Sequence, residues 1–260
     1  MCLVLFALDA HPRHRLLVAA NRDEHFARPT SPAAFWDDAP DVLAGRDLDK
    51  GGTWLGVARD GRFAALTNYR GAAPVPDGPS RGALAADYLR GTLSPAAFIE
   101  TLSPRAASYQ GFSLLLGDAT SMRYYSNRLE ASPAGGIEVG TGIHGLSNHL
   151  LDTPWPKVVR GRRALEASLG LDPQAREQQL VAALSDRAPP PDEQLATMGA
   201  PIAFERALAS PFIHAPERDY GTRCSTLLSI DRDGRVCFVE YTWDRKGRPG
   251  GLVRHAFAIG

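Results

Sequence analysis

Cys2 is the residue of this 260-residue chain that is best placed for covalent chemistry. Removal of an initiator Met before a small residue such as Cys is ordinary processing, and it leaves a thiol and a free α-amine on one residue. The amine has an ordinary pKa of about 7.7–8.0, so it can take the thiol proton and later return it to a leaving group. The alternative is a small buried hydrophobe at the start of a strand, which is the usual fate of a lone Cys.

A polar tetrapeptide, Asn21-Arg22-Asp23-Glu24, directly follows an apolar run. If the first two apolar runs of the chain form a hairpin, the start of one lies beside the end of the other, and Cys2 and the tetrapeptide become neighbours. A carboxylate there can hold the α-amine in position. The alternative is a polar strand end with an Arg–Asp pair. His25 comes next and is a candidate haem ligand.

Three further residues at predicted strand ends have side chains suited to an anion. Asn68 ends a predicted hairpin and Asn148 ends another predicted strand, so their amides are candidate donors to a developing oxyanion, although each alone is more often a turn residue. Arg223 precedes an apolar strand and can bind a carboxylate or stabilise a thiolate; a surface Arg is the equal alternative.

Two other motifs argue against nucleotide and metal sites. The segment Gly51-Gly52-Thr53-Trp54-Leu55-Gly56 lacks the Lys-Ser/Thr of a phosphate loop, so it indicates a tight turn with Trp54 covering a pocket or core. The seven histidines do not show the H-x-x-x-H spacing of a helical metal site. We therefore expect no metal and no required cofactor.

The elements that position these residues follow from the pattern of apolar runs and turn residues. Runs at 2–8 and 15–20 do not alternate, which is typical of strands buried on both faces. Further strands are predicted at 54–58, 62–68, 112–116, 122–126, 143–147, 225–230, 236–242 and 252–259, and helices are predicted to start near 79, 153 and 172. Strands at both ends of the chain with helices in the middle indicate a layered α+β fold. With no repeat or long linker, residues 1–260 are expected to form a single domain.

Composition narrows the class of partner. The 29 Lys and Arg residues balance the 29 Asp and Glu residues, so no global field attracts nucleic acid. Three cysteines without a C-x-x-C pair fit a reducing compartment, and the apolar start lacks the basic leader of a signal peptide. No stretch is long enough to span a bilayer. These features predict a cytoplasmic protein with a small-molecule ligand or substrate.

The motifs together resemble a known family. Met-Cys at the start, Asn21 to Glu24 and Arg28-Pro29 resemble the NRDE family, also called the transport-and-Golgi-organisation family. Further matches follow in the family's order at 51–56, 66–68, 145–148, 153–155 and 220–223. This family is in turn similar to N-terminal-nucleophile hydrolases of the choloylglycine and penicillin-acylase kind. The resemblance implies an αββα four-layer sandwich with Cys2 opening a central strand.

The resemblance also implies a set of site residues. In those hydrolases the Cys acts with an Arg, an Asp, two Asn-like oxyanion donors and a late Arg. The residues in matching order here are Cys2, Asp23, Asn68, Asn148 and Arg223, with Asn21 and Arg22 expected at the edge of the same cleft and Glu24 as a further candidate for ligand binding. One departure is that the hydrolases carry an Arg just before the Asn, where this chain has Ala20. Arg22 lies instead between Asn21 and Asp23. Because adjacent strand residues face opposite sides, Arg22 is not expected to replace the missing Arg, so this departure bears on hydrolysis more than on the fold.

Two functions are compatible with this scaffold. The residues favour a cysteine amidase or esterase that acts on a non-peptide C–N or C–O bond. The family favours a non-catalytic carrier in haem trafficking or in the handling of acyl-CoA and lipids. A carrier would use Arg22, Arg223 and Arg70 for anions, Trp54, Trp36 and Phe26 for the apolar part of the ligand, and Cys2 or His25 as a haem ligand.

Overall fold

The computed structural model describes residues 2–71, 75–198 and 201–260. The strands of this part of the chain are β1 (Cys2–Leu8), β2 (His14–His25), β3 (Thr30–Trp36), β4 (Ala39–Asp47), β5 (Leu55–Ala58), β6 (Phe63–Asn68), β7 (Phe112–Gly117), β8 (Met122–Ser126), β9 (Ile137–Glu138), β10 (Gly142–Leu146), β11 (His214–Ala215), β12 (Tyr220–Asp231), β13 (Arg235–Trp243) and β14 (Pro249–Ala258). The α-helices are α1 (Gly82–Arg90), α2 (Pro95–Leu102), α3 (Pro156–Ser168), α4 (Pro173–Leu184), α5 (Asp192–Leu195) and α6 (Ile202–Leu208), and 3₁₀ helices lie at Ser103–Ser108, Ala196–Met198 and Pro216–Arg218.

The strands form two antiparallel sheets of seven strands each. The first sheet has the order β10-β1-β2-β12-β13-β14, with β11 paired to β12, and the second runs from β3 to β9 in chain order. β1 and β2 pair directly across a short turn, as the predicted N-terminal hairpin requires.

Side-chain alternation along β1 shows how the layers are stacked. Val4 and Phe6 point into the core between the two sheets, whereas Leu3 and Leu5 point to the opposite face, where α3 and α4 cover the sheet. The outer face of the second sheet is covered in the same way by α1 and α2. The order of layers is therefore helix, sheet, sheet, helix, and the predicted αββα class is confirmed. In the described ranges, no helix is long and apolar enough to cross a membrane.

Several element boundaries differ from those predicted. β2 does not end at Ala20 but continues to His25, because buried partners satisfy its polar side chains. β12 likewise starts at Tyr220 rather than at 225. β3 and β4 were not predicted at all, since Pro32 and several exposed polar residues obscure their pattern.

The glycine-rich segment fixes the distance between the loop after β4 and the start of α1. Gly51 has a φ of +72°, a conformation that favours glycine. A Cβ on Gly52 would lie 2.4 Å from the carbonyl carbon of Gly82, and the N–H of Thr53 donates to the carbonyl oxygen of Gly82 at 3.1 Å. Backbone therefore packs on backbone here, with no room for a side chain.

We predict that Gly52→Ala lowers the free energy of unfolding by about 1–3 kcal/mol, because the backbone of Gly82 must move to admit the methyl group. Urea unfolding curves measure the change. Gly170→Ala is the matched control: a Cβ there meets nothing within 4 Å, so its effect should stay within about 0.5 kcal/mol. Equal unfolding midpoints for the two variants would contradict the close packing of Gly52.

Candidate functional site

A cleft of about 440 Å³ opens where the ends of β1, β2 and β12 face β3, β4 and β6 of the second sheet. The start of α1 borders it through Ser80, Arg81 and Gly82. Its size lies within the range of about 300–1,000 Å³ that is common for small-molecule sites. Seven of the predicted site residues meet in it from separate parts of the chain, namely Cys2, Arg22, Asp23, Glu24, Trp54, Asn68 and Arg223.

Strand register places two thiols and a guanidinium in one row across the cleft. Cys2 pairs with Arg22 across β1 and β2, and Arg22 pairs with Cys224 across β2 and β12. All three are buried, with exposed fractions of 8%, 6% and 7%. Two strand spacings separate the thiol-bearing residues by about 9–10 Å between Cα atoms. That exceeds the reach of a disulfide, about 4.4–6.8 Å, and both thiols are free.

Asn21 and Asp23 point to the other face of β2, toward the helices. The amide of Asn21 donates to the carbonyl oxygens of Leu184 at 2.8 Å and Pro211 at 2.9 Å, so it ties the helical layer to the strand and does not line the cleft. Asp23 accepts a hydrogen bond at 2.7 Å from Thr222 Oγ1 and reaches the cleft at its inner end. Burial raises the pKa of the Asp23 carboxyl.

A β-bulge directs Arg223 into the cleft. Thr222 pairs with Asp23 and Cys224 pairs with Arg22, so Arg223 is the extra residue on β12. Its guanidinium donates to the carbonyl oxygens of His25 at 2.8 Å and Arg28 at 3.0 Å. The bulge thus leaves Thr222 on the helix side and Cys224 on the cleft side, with a cation between them.

Asn68 and Asn148 lie next to each other, but their exposure differs. Asn68 lines the cleft. Asn148 is 1% exposed, does not line the cleft, and donates its amide to the carbonyl oxygen of Asn68 at 3.0 Å. The adjacent Ser147 donates to the carbonyl oxygen of Cys2 at 2.9 Å. Asn148 therefore lies close behind Cys2 and Asn68 and supports the wall of the cleft.

Four residues predicted to bind ligand lie outside the cleft. His25 packs edge-to-face on Tyr220, with ring centroids 5.0 Å apart. Arg70 forms an ion pair with Glu205 at 2.5 Å and lies over the ring of Trp155. Trp36 packs against the outer face of the second sheet, and Phe26 lies under Arg223. Each of these side chains contacts a partner in the fold, and none of the four lines the cleft.

Sequence reasoning did not assign six charged residues to the cleft, namely Arg28, Arg46, Asp47, Lys50, Arg81 and Glu240. Arg81 donates to the carbonyl oxygen of Gly111 at 2.8 Å and lines the cleft just before α1. Glu240 is 2% exposed and accepts from the N–H of Ala33 at 2.8 Å, and burial raises its pKa. The sequence did contain a signal for Glu240, because an acid stands at an inward-facing position of an apolar strand. It contained no comparable signal for Arg81. In the described ranges, no three His, Cys, Asp or Glu side chains are grouped to hold a metal ion.

Two antiparallel sheets between helical layers, with a cysteine at the start of an interior strand, define the fold of the N-terminal-nucleophile hydrolases. The chain is similar to the Caenorhabditis elegans ortholog of N-acylethanolamine-hydrolyzing acid amidase, with a TM-score of 0.52 over 87% of this chain and 92% of that one. At 10% identity this likeness shows the fold alone.

The chain belongs to the Transport and Golgi organisation 2 family, whose model matches residues 1–245. It is 36% identical to the Transport and Golgi organization protein 2 homolog of Bos taurus and 32% identical to that of Homo sapiens, each over 92% of both chains. It is 30% identical to Transport and Golgi organization protein 2 of Drosophila melanogaster, over 93% of this chain and 92% of that protein. The predicted family is thereby confirmed.

We predict slow alkylation of Cys2 at neutral pH in the full chain with Met1 retained. Burial raises the pKa of the Cys2 thiol, and the thiolate is the form that reacts. The rate with iodoacetamide should rise about tenfold per pH unit from about pH 6.5 to about 8.5. Peptide mass analysis measures each cysteine separately, and the more exposed Cys237 serves as the internal reference. A rate at Cys2 that levels off below about pH 7.5 would contradict the prediction.

Proposed function

We propose that this chain is a cysteine amidase or esterase that cleaves a non-peptide C–N or C–O bond once Met1 has been removed. The observation that carries the proposal is the position of Cys2 in the cleft, between Arg22 on the neighbouring strand and the wall formed by Asn68 and Asn148. Asp23 and Arg223 reach the same cleft from β2 and β12. The fold class supports the proposal, because in this class the first residue is the nucleophile.

The proposed reaction proceeds in two half-reactions. The α-amine of Cys2 takes the thiol proton, and the thiolate attacks the substrate carbonyl carbon. The resulting oxyanion is stabilised by the Asn68 amide, while Asp23 orients the protonated amine. The amine then gives its proton to the leaving amine or alcohol, which leaves a thioester on Cys2. Water, deprotonated by the same amine, attacks the thioester and releases the acid and the free thiol.

The charge of the cleft favours a substrate with an anionic group. Among the residues that the structure describes, its lining contains six basic residues and four acidic ones, namely Arg22, Arg28, Arg46, Lys50, Arg81 and Arg223 against Asp23, Glu24, Asp47 and Glu240. Among the described residues, one carboxylate oxygen lies within 4.0 Å of Arg22, that of Glu24 at 4.0 Å, which is longer than a hydrogen bond. The guanidinium donates to Thr30 Oγ1 at 3.1 Å, and a carboxylate or phosphate on the ligand would add a short contact to an anion.

We predict that Cys2→Ala abolishes amide or ester turnover and that Cys2→Ser reduces it by at least about a hundredfold, because the thiolate is the nucleophile. A panel of anionic amides and esters is assayed with product analysis by mass spectrometry. Cys237→Ala is the control, since Cys237 lies on the outer face of the first sheet, and its rate should match the unchanged chain.

The intact mass of protein from its native cytosol tests the maturation step independently. The proposal requires a chain that begins at Cys2, so a mass that includes Met1 contradicts it. Full turnover by Cys2→Ala would contradict it as well.

The second candidate function is carriage of a hydrophobic anion, namely haem or an acyl-CoA, for haem trafficking or lipid homeostasis in the cytoplasm. The buried guanidinium of Arg22 supports it, because an arginine held in a cleft suits the carboxylate of haem or the phosphate of acyl-CoA. Trp54, Leu66 and Trp243 supply apolar lining. Since His25 lies outside the cleft, Cys2 is the proposed iron ligand.

For the carrier, we predict that haem gives a Soret shift that is lost in Cys2→Ala and retained in His25→Ala. Arg22→Gln should weaken binding of haem and of acyl-CoA by about tenfold or more, because it removes a charge-assisted hydrogen bond worth about 1.5–3 kcal/mol. Absorption titration measures haem and calorimetry measures acyl-CoA. A Soret shift lost in His25→Ala, or unchanged affinities in Arg22→Gln, would contradict the proposed cleft as the binding site.

A further inference from the structure

Two short segments join the two sheets beside the cleft: the end of β6 with the two residues that follow it, and the three residues after β10. Thr67 Oγ1 donates to the carbonyl oxygen of Ser147 at 2.5 Å. The N–H of Arg70 donates to the carbonyl oxygen of Asn148 at 2.8 Å, and the Asn148 amide donates to Asn68. The two segments are therefore bonded to each other along their whole length.

Tyr69 and His149 add a side-chain link between the same two segments. The Tyr69 hydroxyl lies 2.9 Å from His149 Nε2, and the centroids of the two rings are 4.8 Å apart. The ring of Trp155 packs on His149, with centroids 5.8 Å apart, and the guanidinium of Arg70 lies over Trp155 at 4.6 Å. The hydrogen bond is thus supported by rings and a cation packed beside it.

A chain of hydrogen bonds determines which nitrogen of His149 carries the proton. Thr153 donates its hydroxyl hydrogen to the carbonyl oxygen of Leu150 at 2.8 Å, so its Oγ1 accepts from His149 Nδ1 at 2.9 Å. In the neutral ring Nε2 then has no proton and accepts from the Tyr69 hydroxyl. Burial lowers the pKa of His149, and the positive charge of Arg70 acts in the same direction, so the ring is neutral at neutral pH.

The link acts on the two asparagines of the cleft wall, because each of them is the chain neighbour of one linked residue. Asn68 directly precedes Tyr69, and Asn148 directly precedes His149. The segment after β10 also holds the carbonyl oxygen of Cys2 through a serine hydroxyl at 2.9 Å. A shift of one segment past the other would therefore move Asn68 relative to Cys2.

We infer that Tyr69 and His149 are positioning residues whose hydrogen bond joins the two sheets and holds the Asn68 amide in place opposite Cys2. This inference rests on the proposed function, in which the Asn68 amide stabilises the oxyanion formed when Cys2 attacks the substrate. A merely structural bond would add stability alone, and its loss would leave the turnover of the folded protein as it is.

Nitrogen-15 NMR of labelled histidine tests the chain of hydrogen bonds, with the His149 signals assigned from their loss in His149→Gln. At neutral pH the proton of His149 should be on Nδ1, and in Tyr69→Phe the Nε2 signal should shift because this nitrogen loses its donor. A proton on Nε2, or an Nε2 signal unmoved in Tyr69→Phe, would overturn the inference.

Amide hydrogen exchange tests whether this bond holds the two segments together. Tyr69→Phe should speed exchange of the Arg70 N–H, which donates to Asn148, by at least about threefold. Tyr241→Phe is the matched control, because the Tyr241 hydroxyl donates to Glu177 at 2.6 Å on the outer face of the first sheet. It should leave the Arg70 exchange rate unchanged.

Where turnover exists, Tyr69→Phe and His149→Leu should lower kcat about fivefold or more with KM changed less than about twofold, since the oxyanion forms only in the reaction. His149→Gln should keep most of the rate, because its amide oxygen can accept from Tyr69. Tyr241→Phe should match the unchanged chain. Near-UV circular dichroism shows whether each variant is folded, and Tyr69→Phe with His149→Gln decides the matter if His149→Leu is not.

The two proposals fail in different ways. Unchanged Arg70 exchange in Tyr69→Phe overturns the inference whether or not any turnover is found, and so does an unchanged kcat in folded Tyr69→Phe. Faster Arg70 exchange in a protein without Cys2-dependent turnover supports the link between the segments and removes the hydrolase proposal alone.

Discussion

The pairing of β2 with β1 on one side and β12 on the other is the constraint on which the site depends. Side chains alternate along β2, so Arg22 and Glu24 face the cleft while Asn21 and Asp23 face the helices. A slip of one residue would exchange the two sets and would put Arg22 among the helices. The apolar residues earlier in the same strand prevent that slip, because Leu17 and Ala19 must remain under α3 and α4.

Polar residues within a buried strand are tolerated here because each has a specific partner. The Asn21 amide satisfies two carbonyl oxygens of the helical layer, and its own oxygen accepts from Ser225 at 2.6 Å. Asp23 is held by Thr222, which the bulge at Arg223 keeps on the helix side. The same bonds that fasten the outer layer to the sheet therefore also determine which charges enter the cleft.

The apolar runs were sufficient to predict a layered α+β fold, the N-terminal hairpin and most strands, because buried strands and turn residues leave local signals. The αββα order of the layers came from the family resemblance. They misplaced the end of β2, since Asn21 to Glu24 have the composition of a strand end and only distant residues such as Pro211 and Thr222 make them a buried continuation. Nothing local marks Arg81 as a cleft residue or Lys157 as buried, because loop and helix packing over long sequence separations place both. The proximity of Cys2 and Arg22 was predictable, since one hairpin brings them together.

The two proposed functions differ in a single chemical group, the nitrogen of Cys2. While Met1 is attached, that nitrogen belongs to a peptide bond and cannot act as a base, and burial raises the pKa of the thiol, so Cys2 is a poor nucleophile. The proposed anion binding is the same in either case, since Arg22, Arg81 and Arg223 do not depend on the amine. Removal of Met1 would place a base on Cys2 itself, beside the thiol, without altering the three arginines. The proposed carrier thus requires only the folded cleft, whereas the proposed hydrolase requires one covalent processing step in addition.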